Sequence, residues 1–436
     1  MSLKKNKRTS YYISSSIKLE EGNEGSFYEN NVELKKTDSE ADFTKVHFKD
    51  RIKEEVSKFI NRSFDYVVVL AGAGSSVVAD IDGIDEKYGK TVAMIAKNIA
   101  KELGDFNKLD EIDAFIVSPF EESTDADLPI SSGELFTMQE LATMSNYQIP
   151  VKIGDEFNNE FNLEDFLSNL LTYEQFIKES ESDKDKFVKS KEKILDLIKE
   201  NTNYSFDKEK MKHDTFLKIL TSKVKKENQL SIVTTNYDTL FEEAAEELEI
   251  TVIDGFSFSY DPYFDSDMFD WKLVKHVPNV KTTQLEYKEN VINLLKIHGS
   301  LTWERCGSEK KIRRKHKSSI SKPIMVFPSS NKYAQSYDEP YFELFTKFQE
   351  LLRKPNTLLI TTGFSFADNH IATMITQAIK HNTGLNVLVS DFDIEQNHDN
   401  WKTLDELRKN HFQVAFLKAT LNDELIDYVG GQDDYR

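Results

Sequence analysis

The chain has 436 residues, and 56 Lys and Arg against 75 Asp and Glu leave a formal charge of −19. That length gives material for two or three domains or one large α/β domain with insertions, and 39% apolar residues supply a sizeable core, which excludes a wholly disordered chain. The charge speaks against direct nucleic-acid binding, the single cysteine (Cys306) excludes an internal disulfide and a four-cysteine zinc site, and no apolar run reaches the about 20 residues of a membrane span.

The first 45 residues are polar and read as a loosely ordered arm with a short strand at 11–17, the remainder (46–436) as one interrupted domain. The start is basic with no apolar stretch behind it, so no secretory leader and a cytoplasmic location are expected. Val46, Phe48, Ile52, Val56 and Ile60 have helical spacing and lead into a β-branched strand at 66–70. This strand runs into Ala71, Gly72, Ala73, Gly74, Ser75 and Ser76. A long interruption follows, about 89–227, where Leu163, Phe166, Leu167, Leu170 and Leu171 recur at helical spacing behind Asn162 and Asp165, placed like a capping pair. Phe187, Ile194, Leu197 and Ile198 continue this helical insertion.

A second buried strand is expected at 230–235, then Asn236, Tyr237 and Asp238, then a helix with Leu240, Phe241, Ala244, Ala245 and Leu248 on one face. A third, at 291–297, ends in His298, Gly299 and Ser300. The basic run 310–317 reads as a solvated loop, with anion or partner binding as its alternative. A fourth strand at 357–362 ends in Gly363, Phe364, Ser365 and Phe366, before a helix presenting Ile371, Met374, Ile375, Ala378 and Ile379. A fifth, at 385–390, ends at Asp391, and a sixth, at 414–417, precedes a last helix around 421–429.

Strands alternating with amphipathic helices define an α/β fold: a Rossmann-like, mainly parallel sheet with helices on both faces and a large helical insertion. Ligands of such sheets bind beyond the carboxyl ends of the strands, where every polar or glycine cluster of this chain falls. Gly72 and Gly74 suit a phosphate loop, because backbone without Cβ approaches a diphosphate closely; the third glycine of the dinucleotide pattern is Val77 here, and a tight turn without ligand is the alternative. Asn236 and Asp238 are both capping types, and two residues so close cannot both cap one helix, so one is left for another task. His298 is either a structural histidine or a general base. Ser365 and Asp391 either hold ribose hydroxyls or cap helices.

In this order the clusters resemble the sirtuin (silent information regulator two) superfamily, whose pattern is a G-A-G-x-S loop, a T-x-N-x-D stretch, an H-G pair and a late G-x-S loop. The chain supplies Gly72 to Ser76, Thr234 to Asp238, His298 with Gly299, and Gly363 to Ser365. It departs from the deacylating members in lacking the four zinc cysteines and the G-I-P-D-F-R loop, where Gly83, Ile84, Asp85 and Glu86 stand instead. A helical insertion without a zinc ribbon is similar to the sirtuin-like domains of bacterial antiphage defence proteins, some of which work with a HerA-like ATPase.

The resemblance implies an NAD⁺ glycohydrolase that depletes NAD⁺ in abortive infection, with NAD⁺ as substrate and no zinc or other metal. Asn236 and His298 would be catalytic. Ala71, Gly72, Gly74, Ser75, Ser76, Thr235, Asp238, Gly363, Ser365 and Asp391 would contact the nucleotide. A homo-oligomer docking a HerA-like ATPase or translocase is expected, with no membrane and no direct nucleic-acid contact. The rival functions are NAD⁺-dependent protein deacylation or ADP-ribosyl transfer, and a non-catalytic NAD⁺ or ADP-ribose sensor scaffold.

Overall fold

Continuous runs of Val, Ile and Leu have no polar face to show to water, and they are stable only as strands covered on both sides. The computed structural model describes residues 8–35, 43–80, 83–106, 134–177, 183–277, 285–307, 311–325 and 340–430. Eleven strands among them form one sheet: β1 (Thr9–Ile13), β2 (Lys18–Glu21), β3 (Phe27–Glu29), β4 (Val32–Glu33), β5 (Tyr66–Ala71), β6 (Leu230–Thr234), β7 (Thr251–Ile253), β8 (Val291–Lys296), β9 (Thr357–Thr362), β10 (Leu385–Asp391) and β11 (Val414–Lys418). Their order is β7-β8-β6-β5-β9-β10-β11-β1-β2-β3-β4.

The seven strands from β7 to β11 in this order are parallel. The parallel part starts at the middle strand β5, runs through β6 to the edge strand β7, fills the place between them with β8, then crosses to β9 on the other side. This is the doubly wound order, and its switch point lies at β5 between β6 and β9. One face is covered by the helices Lys45–Ile60, His213–Ser222, Leu240–Glu247 and Leu425–Val429, which pack with Val67, Val69, Ile232, Leu294, Ile360 and Leu417 in one core. Val68, Leu70, Val233, Leu359 and Val389 point to the opposite face, where the helix Tyr341–Arg353 reaches β5, β8 and β9 and Asn369–His381 reaches β10. The six parallel strands expected from the sequence are all present, and β7 is an added edge strand.

The N-terminal arm departs from its expected looseness. Its described residues form β1 to β4, an antiparallel meander joined to the sheet through Tyr12 opposite Leu417. Tyr12, Leu19 and Phe27 are buried and enter the same core as the helix Lys45–Ile60. The described residues of 90–203 belong to a second compact unit. It holds the helices Val92–Glu102, Met138–Met144, Leu163–Glu174 and Lys184–Thr202, with Ile99, Leu141, Phe166, Leu170, Phe187 and Ile194 buried. Asn162 Oδ1 accepts from the amides of Glu164 and Asp165, so Asn162 caps the third of these helices. Residues 204–227, grouped with the insertion by sequence, lie in the α/β unit instead, where the helix His213–Ser222 packs on Leu240–Glu247. No helix among the described residues is long and apolar enough to cross a membrane.

Candidate active site

Two loops cross at the switch point. The Gly72 amide donates to Thr362 O (3.0 Å) and the Gly74 amide to Gly363 O (2.9 Å). A Cβ on Gly72 would stand 2.5 Å from Gly363 O, and one on Gly363, whose φ is +59°, would stand 2.1 Å from Ser75 N. These glycines are therefore required by the contact of one backbone with another. β5 ends in a single 3₁₀ turn, Ala73–Ser75, so no helix dipole begins at this loop. Ser75 Oγ donates to Gly72 O (2.7 Å), and Asn422 Nδ2 holds the loop through Ser75 O (3.0 Å) and Val77 O (2.9 Å).

Asn236 is buried against the same loop. Its Nδ2 lies 3.1 Å from Gly72 O, 3.2 Å from Ser75 Oγ and 3.0 Å from Ser76 Oγ. Asp238 Oδ1 accepts from Leu240 N (3.2 Å), the first amide of the helix, whose N-cap position is Thr239, while Oδ2 accepts from Ser76 Oγ (2.8 Å). Neither residue is the N-cap: Asp238 binds the helix start and Asn236 the glycine loop. Burial raises the Asp238 carboxyl above its ordinary range, opposed by the nearby Lys296 ammonium and the Ser76 hydroxyl. Half-buried Thr235 donates its amide to Ala71 O (3.1 Å), which also accepts from Thr234 Oγ1 (3.0 Å) and ties β6 to β5.

His298 is buried where β8 ends, and its Nε2 stands 3.4 Å from Asp368 Oδ2. The other oxygen of Asp368 accepts from the amides of His370 and Ile371, so this carboxylate caps the helix after β9 and faces the imidazole at once. The four loops close a ring: β5 to β9 through the glycines, β5 to β6 through Asn236, β8 to β9 through His298, and β6 to β8 through the Leu301 amide on Tyr237 O (3.0 Å).

Ser365 is exposed on the β9 loop, beside buried Phe366, which holds a φ of +59°. A left-handed aromatic residue costs about 1–2 kcal/mol, and such strain concentrates at functional loops. Asp391 stands apart from the ring. Its Oδ1 accepts from Asp393 N (3.1 Å) and Gln396 Nε2 (3.3 Å), and burial pushes its carboxyl up to about 6.

Over the described residues 311–317 the basic run differs from the solvated loop read from the sequence. Lys311–Arg314 is a strand paired with Trp303–Cys306, and its cations meet acids: Arg313 and Lys315 with Glu304 (both 2.7 Å), Arg314 with Asp254, and Lys317 with Glu243 (2.7 Å). Sequence reasoning missed Asp368 as the partner of His298, and it missed Lys296, 2% exposed, which donates to Asp238 O and to Glu242 Oε1 (3.0 Å). A lysine closing a strand whose one other polar residue is Asn293 was the available signal.

Residues 230–414 match the family model described as SIR2-like domain. The matched stretch runs from the first residue of β6 to the first of β11 and contains Asn236, His298, Gly363 and Asp391; the glycine loop after β5 precedes it. The match supports a sirtuin-like domain over these residues, and with it an NAD-related activity in general. A search of curated proteins finds no match to the chain.

Proposed function

We propose that the protein hydrolyses NAD⁺ to nicotinamide and ADP-ribose. The observation that carries this reading is the ring of four strand-end loops, which holds an oriented amide and an imidazole–carboxylate pair at the switch point of a sheet whose SIR2-like stretch suggests NAD-related activity. Water replaces nicotinamide at the anomeric carbon of the ribose: the C–N bond breaks, a C–O bond forms, and one proton is released. Nicotinamide leaves neutral and needs no acid, so the demands on the chain are to hold the ribose, orient water and accept that proton.

His298 accepts the proton, and the Asp368 carboxylate stabilises the imidazolium so formed. Asn236, whose Nδ2 faces the glycine loop, presents its carbonyl oxygen to the water and to a ribose hydroxyl. The loop of Ala71, Gly72, Gly74, Ser75 and Ser76 takes the diphosphate. Because the Ser75 hydroxyl is spent on Gly72 O, that residue acts by shaping the loop. Thr235 supports this loop through its amide, and Gly363, Ser365 and Asp391 take the adenosine side.

An enzyme that consumes NAD⁺ without restraint harms its own cell, which suits an effector released on infection. The resemblance to antiphage sirtuin-like proteins supports this role, together with a homo-oligomer partnered by a HerA-like ATPase. The test is incubation of the full chain with NAD⁺, where nicotinamide and ADP-ribose appear in equal amounts and Asn236→Ala sharply lowers both. Turnover only with an acylated peptide would make it a deacylase, and binding without turnover a sensor. Light scattering and co-purification with the candidate ATPase test the assembly.

A further inference from the structure

Asn236 Nδ2 faces three groups, and the direction of each proton fixes the orientation of its amide. Gly72 O only accepts. Ser75 Oγ has given its proton to Gly72 O, and Ser76 Oγ has given its own to Asp238 Oδ2. All three partners are therefore acceptors toward Asn236, so the group facing them must be the NH₂. The chain of bonds runs from Asp238 through Ser76 to Asn236, and it is anchored from below. Lys296 Nζ is buried, donates to the Asp238 carbonyl and to Glu242, and lies close enough to the Asp238 carboxylate to act on it electrostatically. From the other side Lys317 Nζ holds Thr239 Oγ1 (3.0 Å), Glu243 Oε1 (2.7 Å) and Tyr204 O (2.6 Å). The first turn of the helix Leu240–Glu247 is thus bolted on both flanks, and the loop carrying Asn236 enters it.

We propose that Lys296 is a positioning residue of the hydrolytic site: by anchoring the Asp238 carbonyl and balancing the carboxylates of Asp238 and Glu242, it keeps the Asp238–Ser76–Asn236 chain in the register that turns the Asn236 NH₂ to the glycine loop and frees Oδ1 for the substrate. The proposal rests on the hydrolase reading for its chemistry, while its geometric content stands without it. Removing the ammonium leaves the buried carboxylate of Asp238 and the half-buried one of Glu242 without this cation, and the loop shifts to rehydrate them. A displacement of about 1 Å at an orienting group is enough to cost on the order of 100-fold in rate.

The test uses the full chain labelled with ¹⁵N-asparagine, the Asn236 NH₂ signals being assigned by their disappearance in Asn236→Ala. In Lys296→Met these signals move and their hydrogen exchange accelerates at least about tenfold. The kcat for nicotinamide release falls about 10–100-fold while the KM for NAD⁺ stays within about threefold. In the Asn236→Ala background the same substitution adds no further loss, because the group it positions is gone. Unchanged Asn236 signals, or an equal loss of kcat in both backgrounds, would overturn the proposal. If Lys296→Met does not fold, Lys296→Gln removes the charge while keeping a polar side chain at the same position, and the same outcomes apply. A wild-type protein that releases no nicotinamide refutes the hydrolase reading alone, since the NH₂ signals still decide the role of Lys296.

Discussion

His213 is a fully buried histidine, and acid should find it. The ring is fully buried on the helix His213–Ser222, edge-on to Phe241 (centroids 4.9 Å apart) and Phe206 (6.2 Å), and neither ring nitrogen has a hydrogen-bond partner among the described residues. Burial pushes its pKa down to about 3 from an ordinary 6.5. The unfolded chain therefore binds a proton between these values while the folded chain does not, and stability falls as pH drops through that window. Each pH unit below 6.5 costs about 1.4 kcal/mol, so lowering the pH from 7.5 to 5.0 removes about 2 kcal/mol through this one residue. His213→Leu keeps an apolar side chain of similar size and abolishes the titration. Urea unfolding of both proteins at pH 7.5 and 5.0 isolates the effect, since every other group titrates alike in the two. The wild type should lose about 2 kcal/mol more than the variant, and the variant should be the more stable at both pH values, having shed two unpaired buried nitrogens. Equal losses would refute the reasoning and mean that His213 is hydrated or paired in solution.

The remaining predictions concern the ring of loops. His298→Ala should slow nicotinamide release about 10²–10⁴-fold with Tm nearly unchanged, and turnover near the wild-type rate would remove its role as base. Gly363→Ala should lower Tm by about 10 °C, because its Cβ meets the Ser75 backbone and its φ is positive; an unshifted melting curve by calorimetry would show that the crossing of the loops is slack. Activity and Tm should survive a strong chelator, and stoichiometric zinc in the purified protein would contradict this.

The parallel strands were legible because each is a run of apolar residues with a turn signal at its end; Thr357–Thr362 was read to the residue. β2 to β4 were not, and β1 only as the short strand at 11–17, since these strands bury at most two large side chains and β4 none. What makes them strands is the pairing of Tyr12 with Leu417, some four hundred residues away. The same divide runs through the site. Asn236, Asp238, His298 and Gly363 stand in short motifs. Asp368 reads as a helix cap, Lys296 as a strand end and Asn422 as a surface polar residue, until folding sets each beside a distant partner. The glycine loop was legible as glycine but not as to purpose, because nothing local to Gly72 reveals that Gly363 will lie against it.

The meander at the N-terminus also decides what the sheet shows to other molecules. β11 runs Val-Ala-Phe-Leu-Lys, and without β1 its outer row of amides and carbonyls would be a ready template for a foreign strand. With the meander in place the sheet ends instead in β4, two residues long, and on the far side in β7, three residues long. Edges that short give a neighbour too few bonds to hold. Trimming the first 43 residues as dispensable would bare the most adhesive strand of the molecule, and the product to expect is an aggregate.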